Sequence, residues 1–195
     1  MRLTKAFFDG TTEEIARRLI GAMLVHESEQ GLTSGRIVET EAYLAEADPA
    51  SHSARGQTPR NAAMFGRAGH AYVYFIYGMY ECMNVVTGPV GRGEAVLIRA
   101  LEPKEGVPLM LRRRGIDSVE NLCTGPGKLT IAMGITRALN GTSLFRGPLR
   151  LTPADSSSAD PKMNILASAR VGVSTGQDLP LRFRLSENRF VSRSQ

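Results

Sequence analysis

The chain has 195 residues, a net charge of +5 and a hydrophobic fraction of 42%, which are ordinary values for a globular protein with one large core. No apolar run approaches the roughly 18 residues that span a bilayer, and no signal-peptide stretch follows the N-terminus, so we expect a cytoplasmic protein that does not bind membranes. Two cysteines without a CxxC pair and three widely spaced histidines argue against a zinc site or another metal centre.

The first predicted element is a helix over residues 12–25. Thr11 and Glu14 have the spacing of a capping box, in which each side chain bonds the backbone N–H of the other residue. Apolar residues at helical spacing follow on one face: Ile15, Leu19, Met23 and Leu24. Because this pattern is typical of a helix packed on a core, we assign the helix to the scaffold.

A strand with carboxylates on one face is predicted over residues 35–44. The alternation along a strand places Glu39, Glu41 and Tyr43 on the same face. A carboxylate beside a tyrosine can orient a water molecule and accept its proton, so Glu41 is a candidate general base. The pattern fits a solvated glutamate on an edge strand equally well, and it does not separate Glu41 from Glu39.

The loop that follows, Ala45 to Gly69, begins a basic and aromatic region. No acidic residue occurs between Asp48 and Glu81, although this interval and its neighbourhood hold three arginines and all five tyrosines. These residues are Arg55, Arg60, Arg67, Tyr43, Tyr72, Tyr74, Tyr77 and Tyr80. Cations suit phosphates and flat rings suit bases, so the region predicts a nucleic-acid surface. A buried sheet with tyrosines in its core, in a genome that favours arginine codons, would give the same composition.

Two β-prone runs, 71–77 and 80–87, predict a hairpin with Gly78 and Met79 at its tip. Tyr77 and Met79 would then be exposed. An exposed aromatic ring at such a tip can enter a duplex and fill the gap left by an extruded nucleotide, which makes Tyr77 a candidate wedge. An ordinary exposed turn tyrosine is the alternative.

Three further side chains are candidates for stacking against an extracted base: Tyr43, His52 and Tyr74. Stacking on an aromatic ring contributes about 1–3 kcal/mol per base in comparable sites. Core packing is the competing interpretation for Tyr74. For His52, which falls in the polar loop, the competing interpretation is a solvated histidine.

A third strand is predicted over residues 94–101, and an arginine interrupts its apolar face. Arg99 shares that face with three aliphatic residues. A buried guanidinium needs a partner, usually a carboxylate. Arg99 therefore either holds Glu41 in its ionised form or makes a structural ion pair elsewhere in the sheet.

The rest of the chain predicts helices over 107–115 and 126–133 and short strands over 148–152, 168–173 and 181–185. The second of these helices follows a glycine-rich turn, which places Lys128 and backbone N–H groups where an anion could bind. The spacing is not that of a Walker loop, so the turn gives little support for nucleoside triphosphate binding.

Five ordered motifs together resemble the alkyladenine (3-methyladenine) DNA glycosylase family. They are RIVETEAYL (36–44), SHSARGQTPRNAAMF (51–65), YVYFIYGMYECMNV (72–85), VLIRALEP (96–103) and LCTGPGKL (122–129). The resemblance covers nearly the whole chain. It implies a single α+β domain over 1–195, with a curved antiparallel, barrel-like sheet, surrounding helices and a protruding hairpin. It also implies a monomer that acts on double-stranded DNA without a cofactor or metal.

The same resemblance assigns roles to the candidates. It implies that Glu41, rather than Glu39, activates the water for hydrolysis, and that Arg99 helps to hold it. Tyr43 and His52 would sandwich the flipped base. The loop between these two residues is variable in the family, and here it is short (Ala45–Ser51). This implies that the range of lesions accepted by this chain differs from that of other family members.

Further roles follow for the hairpin region. Tyr74 would border the pocket, Tyr77 would intercalate, and Asn84 would crowd the position of the guanine amino group. The remaining expected contacts to the DNA backbone or groove are Arg60, Met79, Tyr80 and Lys128. The expected reaction is hydrolysis of the N-glycosidic bond of alkylated or deaminated purines in base excision repair.

Three other functions remain compatible with the residues alone. A damage-binding module would use the aromatic slot without catalysis, although Glu41 and Arg99 argue for chemistry. An RNA-binding or RNA-modifying protein would use the same stacking platform. An acyl-transfer enzyme of similar barrel architecture rests on fold analogy alone, which does not fix function.

Overall fold

The computed structural model of the protein describes residues 3–45, 48–76, 78–153 and 164–192. In these ranges three α-helices surround a curled antiparallel sheet, which confirms the predicted α+β class. The helices are α1 (Thr12–Leu19), α2 (Val107–Arg114) and α3 (Pro126–Met133). The strands are β1 (Met23–Ser28), β2 (Gly31–Tyr43), β3 (Ala71–Ile76), β4 (Tyr80–Val86), β5 (Ala95–Glu105), β6 (Leu149–Thr152), β7 (Ile165–Ser168) and β8 (Arg182–Leu185).

The sheet branches at β2. Six strands follow the order β3-β4-β5-β2-β1-β6, while β8 also pairs with β2 and in turn with β7. One edge of β2 accommodates two partners, because β1 pairs with residues 31–36 and β8 pairs with Glu39, Thr40 and Glu41. Along the other edge, β5 pairs with register shifts near Glu39. The second half of β2 therefore lies inside the sheet rather than at its edge.

The first helix is shorter than predicted. The capping box between Thr11 and Glu14 is confirmed, but α1 ends at Leu19 instead of continuing to residue 25. Ile20, the residue after the helix, already has an extended backbone with ψ of 129°, and Gly21 follows in a left-handed conformation with φ of 89°. Met23 then pairs with Arg36 as the first residue of β1. The apolar stripe therefore spans a helix and a strand that pack on the same core.

The last predicted strands are corrected in part. Residues 168–173 do not form a strand, because β7 ends at Ser168 and Arg170 turns inward to pair with Asp48. The hairpin strands, α2, α3, β6 and β8 match their predicted bounds to within one residue over the described positions. The strand predicted over 35–44 begins four residues earlier, and the one predicted over 94–101 ends four residues later.

The main core lies between the helices and the sheet. Ile15 and Leu19 of α1 pack with Ile37, Ile98 and Leu129, and all five are fully buried. A second cluster, formed by Met64, Tyr72, Val86 and Ala95, lies on the hairpin side of the sheet. In the described part of the chain, no helix has both the length and the apolar character needed to cross a membrane.

Candidate active site

A cavity of about 250 Å³ opens beside β3. Its walls come from the end of β2, the loop after β2, the hairpin and the segment 172–175. The predicted base-binding residues Tyr43, His52, Tyr74 and Asn84 all line it, although they come from separate parts of the sequence. The segment 172–175 was not predicted as part of the site, because the sequence indicated only a strand over its first residues. The cavity is concave and aromatic, as expected for a site that holds a flat ligand.

Aromatic rings form one wall of the cavity. The rings of His52 and Tyr74 meet edge to face with centroids 4.5 Å apart, and those of Tyr72 and Tyr74 lie 5.2 Å apart. A hydrogen bond of 3.0 Å joins His52 Nδ1 to the Tyr72 hydroxyl and fixes the imidazole. Burial lowers the pKa of His52, and the nearby Arg60 lowers it further. The imidazole is therefore neutral at neutral pH and offers an uncharged face to a ligand.

Glu41 is a fully buried carboxylate that is linked to the cavity through Tyr43. Its Oε2 accepts a hydrogen bond from the Tyr43 hydroxyl at 3.0 Å and another from Arg99 Nη1 at 3.3 Å. Its Oε1 accepts one from the Val171 backbone N–H at 2.8 Å. The structure thus overturns the alternative of a solvated glutamate on an edge strand.

The environment of Glu41 acts on its pKa in opposite directions. Burial raises the pKa of Glu41 and is the largest effect, while the charge of Arg99 and the hydrogen bonds from Val171 and Tyr43 lower it. The charge of Glu39 raises it again, and the net result is a pKa above the ordinary value of 4.5. A group of this kind can accept a proton near neutral pH more readily than an ordinary glutamate.

We expect this pKa to set the acidic limb of the pH–rate profile. A general base must be ionised, so kcat/KM should fall as the pH drops through the raised pKa of Glu41, above pH 4.5. The measurement is base release from DNA carrying a permanently cationic purine, across the acidic range. The tyrosines that line the cavity titrate in the alkaline range, so His52 is the lining residue that could also give an acidic limb, and the limb should persist in His52→Gln. Its disappearance in that variant would assign it to the imidazole instead.

Glu39 is distinguished from Glu41 by its hydrogen bonds. Four donors converge on it: Arg99 Nε at 3.0 Å, Arg182 Nε at 2.6 Å, the Ser192 N–H at 2.7 Å and the Ser192 hydroxyl at 2.8 Å. None of these donors comes from a residue that lines the cavity, whereas Glu41 accepts from the Tyr43 hydroxyl, which does. Arg99 therefore has the carboxylate partner that its buried position required, and it bridges Glu39 to Glu41.

A buried ion pair that the sequence did not predict supports the cavity from behind. Arg170 makes a two-pronged contact with Asp48, at 2.5 and 2.7 Å, and both side chains are fully buried. The Arg170 guanidinium also lies 4.7 Å from the centre of the Tyr43 ring. Arg170 precedes Val171, the donor to Glu41. No spacing or motif relates residues 122 positions apart, so only the fold reveals this pair.

The expected DNA contacts lie near the hairpin. Arg60 Nη2 donates to the Phe75 carbonyl at 3.0 Å, and Met79 is 63% exposed at the tip. Tyr80 is also exposed, as is Lys128 in the first turn of α3. The candidate wedge, Tyr77, lies outside the described residues. Among the described residues, no group of three or more histidine, cysteine or acidic side chains could hold a metal ion.

Comparison with known proteins adds a family to this geometry. Residues 6–189 match the model of a family described as methylpurine-DNA glycosylase. A protein of Methanoculleus marisnigri, named "Putative 3-methyladenine DNA glycosylase", is 56% identical over 194 residues, covering 99% of this chain and all of the relative. Proteins of the same name are 45% identical in Carboxydothermus hydrogenoformans, over 99% of this chain and all of the relative, and 46% identical in Rhodopseudomonas palustris, over 98% and 88%.

Proposed function

The chain belongs to the methylpurine-DNA glycosylase family, whose members hydrolyse N-glycosidic bonds in DNA repair, and from this premise we propose a specific mechanism. The enzyme flips an alkylated or deaminated purine out of duplex DNA into the cavity beside β3. Water activated by Glu41 then releases the base and leaves an abasic site. The observation that carries this proposal is the buried Glu41 carboxylate, which does not itself line the cavity but is held by three donors, one of which is the hydroxyl of the cavity residue Tyr43.

Base flipping is supported by the shape and lining of the cavity. A base inside a duplex is out of reach of Glu41, so it must leave the stack, which costs a few kcal/mol. Stacking of the flipped base on Tyr43 and His52 offsets part of this free energy, since such stacking contributes about 1–3 kcal/mol per base. Tyr74 packs against His52 and keeps that ring in place. A damaged base pairs weakly and is extruded more easily, which gives a first level of selectivity.

One carboxylate is sufficient for the chemistry when the leaving base is cationic. Sugar glycosidases generally need an acid and a base, but a methylated purine that already carries a positive charge needs no acid. Glu41 can orient the attacking water and accept its proton, and its negative charge stabilises the oxocarbenium-like sugar. Because Oε1 accepts only the Val171 N–H among the described contacts, it retains a lone pair for that water. The charge of Arg99 favours the ionised form of the carboxylate and opposes the effect of burial on its pKa.

Selectivity against normal guanine is proposed to come from Asn84. Its side-chain amide lines the cavity and is fixed by a 3.1 Å hydrogen bond to the Tyr72 carbonyl. A rigid side chain there would crowd the amino group of guanine, as the family resemblance implies. The short loop Ala45–Ser51 would then set how far the cavity admits other lesions, such as hypoxanthine or ethenoadenine.

The duplex is proposed to lie across the hairpin. The side chains proposed to contact its backbone or groove are Arg60, Met79, Tyr80 and Lys128, with Tyr77 as the wedge. Gly127, the neighbour of Lys128, packs closely on the Tyr80 side chain. A Cβ atom added at position 127 would lie only 3.0 Å from that side chain, so this contact brings Lys128 close to Tyr80. We propose that the chain works as a monomer and that residues 1–195 form one domain.

The experiment that tests this function measures abasic-site formation. Duplexes carrying 3-methyladenine, 7-methylguanine, hypoxanthine or ethenoadenine are incubated with the purified protein, and an undamaged duplex serves as the control. Release of at least one alkylated base as the free purine supports the proposal. Tight binding of damaged DNA without release of any base would contradict it and indicate a damage-binding module.

We predict that the enzyme does not cut the DNA strand. Strand cutting by a glycosylase uses an amine that forms a Schiff base with the sugar. The four lysines are Lys5, Lys104, Lys128 and Lys162, and none falls in β2 or in the hairpin region 71–87. Borohydride added during turnover should therefore trap no covalent enzyme–DNA adduct. A known bifunctional glycosylase is the positive control, and an adduct with this protein would contradict the hydrolytic mechanism.

A further inference from the structure

A second groove, of about 580 Å³, lies on the other side of the hairpin strand β3. Alternate residues of a strand point to opposite faces. Accordingly, Tyr72 and Ile76 line the base cavity, whereas Val73 and Phe75 line the groove, and Tyr74 borders both. Gly78 of the hairpin tip also lines the groove. Any DNA that straddles the tip therefore meets the cavity on one side and this groove on the other.

Two arginines flank the exposed Phe75 in the groove. Arg137, from the segment after α3, places its guanidinium 4.8 Å from the centre of the Phe75 ring. Arg60 donates to the Phe75 carbonyl at 3.0 Å. This contact uses one of the five N–H groups of Arg60, so others are available to an incoming acceptor. Phe75 thus positions two guanidinium groups at the groove, that of Arg137 through its ring and that of Arg60 through its carbonyl.

The charge of the groove is positive although one carboxylate contacts it. Glu81 lies 3.4 Å from Arg137 Nε, and the Arg137 side chain remains 63% exposed. The two segments that line the groove lack negative charge, because neither residues 49–80 nor residues 121–154 contain an acidic residue. Both walls of the groove come from these two acid-free segments. A polyanion is the ligand that this arrangement favours.

We propose that this groove binds the sugar–phosphate backbone of the DNA strand opposite the damaged base, with Arg137 as a phosphate contact. The proposal rests on the proposed function, because the base cavity then fixes the damaged strand on the other side of β3. A hairpin tip inserted between the strands leaves the complementary strand on the groove side. Arg137 lies outside all the motifs that pointed to DNA binding in the sequence.

The test measures binding of a duplex that carries a damaged purine as a function of salt, with Glu41→Gln present in every protein so that base release does not disturb the binding equilibrium. Removing one phosphate contact lowers the slope of log K against log salt by about 0.9. Arg137→Gln should show this lower slope and bind roughly tenfold more weakly at low salt. An unchanged slope would overturn the proposal, even if the wild-type protein releases alkylated bases normally.

Arg189→Gln is a matched control. Arg189 is 70% exposed, pairs with Glu120 at 3.1 Å and lies 5.0 Å from the Phe190 ring, so it reproduces the local setting of Arg137 outside the groove. Its substitution should leave the slope unchanged. Equal losses in the two variants would show a general effect of net charge and would overturn the assignment of Arg137. Thermal melting of both variants checks the fold, since exposed ion pairs contribute little to stability.

The strand assignment is tested with neutral phosphates. Methylphosphonate linkages are placed in one strand or the other of a duplex that carries a damaged purine. When they lie in the complementary strand, Arg137→Gln and the wild-type protein should bind with the same affinity, because the contact is already lost. When they lie in the damaged strand, the difference between the two proteins should persist. The reverse pattern would overturn the assignment to the complementary strand.

Discussion

Glu41→Gln is expected to slow base release by about 10²–10⁴-fold while damaged DNA is still bound. A glutamine has nearly the same shape, but it cannot accept the proton of the water and it carries no charge to stabilise the sugar cation. The measurement is single-turnover release of an alkylated purine at saturating enzyme, with binding measured on the same duplex. Binding should survive because Tyr43, His52 and Tyr74 form the stacking surfaces.

The local cost of this substitution needs its own control. The amide introduced by Glu41→Gln has one carbonyl oxygen, so it can accept from Val171 on one side or from Tyr43 and Arg99 on the other, but not from both. Thermal melting of the variant therefore accompanies the kinetics. Glu27→Gln, an exposed change in β1 of the same sheet, should leave release unchanged. Release at the wild-type rate by a folded Glu41→Gln protein would remove this carboxylate from the mechanism.

Much of the fold could be predicted because it depends on local signals. The hairpin, α2 and α3 follow from β-prone runs and glycine boundaries, and they match the structure closely. The end of α1 could not be predicted from periodicity, since Met23 and Leu24 continue the apolar spacing of the helix. The helix ends at Leu19 because the backbone becomes extended at Ile20 and the chain then enters β1, which pairs with β2.

The candidate site divides in the same way. Alternation along β2 correctly placed Glu39, Glu41 and Tyr43 on one side, because strand geometry is local. The distinction between the two carboxylates could not be made locally, because Ser192 and Arg182 bind Glu39 from the far end of the chain. The sequence-based choice of Glu41 came from the family resemblance, and the hydrogen bonds now supply a physical reason that favours it.

The ion pair between Asp48 and Arg170 gives the largest expected effect on stability. Asp48→Asn should lower the free energy of unfolding by about 3–5 kcal/mol, because it leaves a buried guanidinium without a countercharge. The Asp48 carboxylate also accepts the backbone N–H groups of Leu44 and Ala50, and Ala50 lines the cavity. Urea denaturation measures the change, and the exposed Asp117→Asn is the control for removing an aspartate charge.

A second substitution separates the charge from the contacts. Adding Arg170→Met to Asp48→Asn removes the uncompensated cation, so the double variant should be more stable than Asp48→Asn alone. Base release should nevertheless stay low in the double variant, because Tyr43 loses the guanidinium beneath its ring and Val171 loses the anchor next to it. Equal stability of the single variant and the wild type would show that water solvates Arg170. Full activity in the double variant would show that the ion pair supports the fold without positioning Glu41.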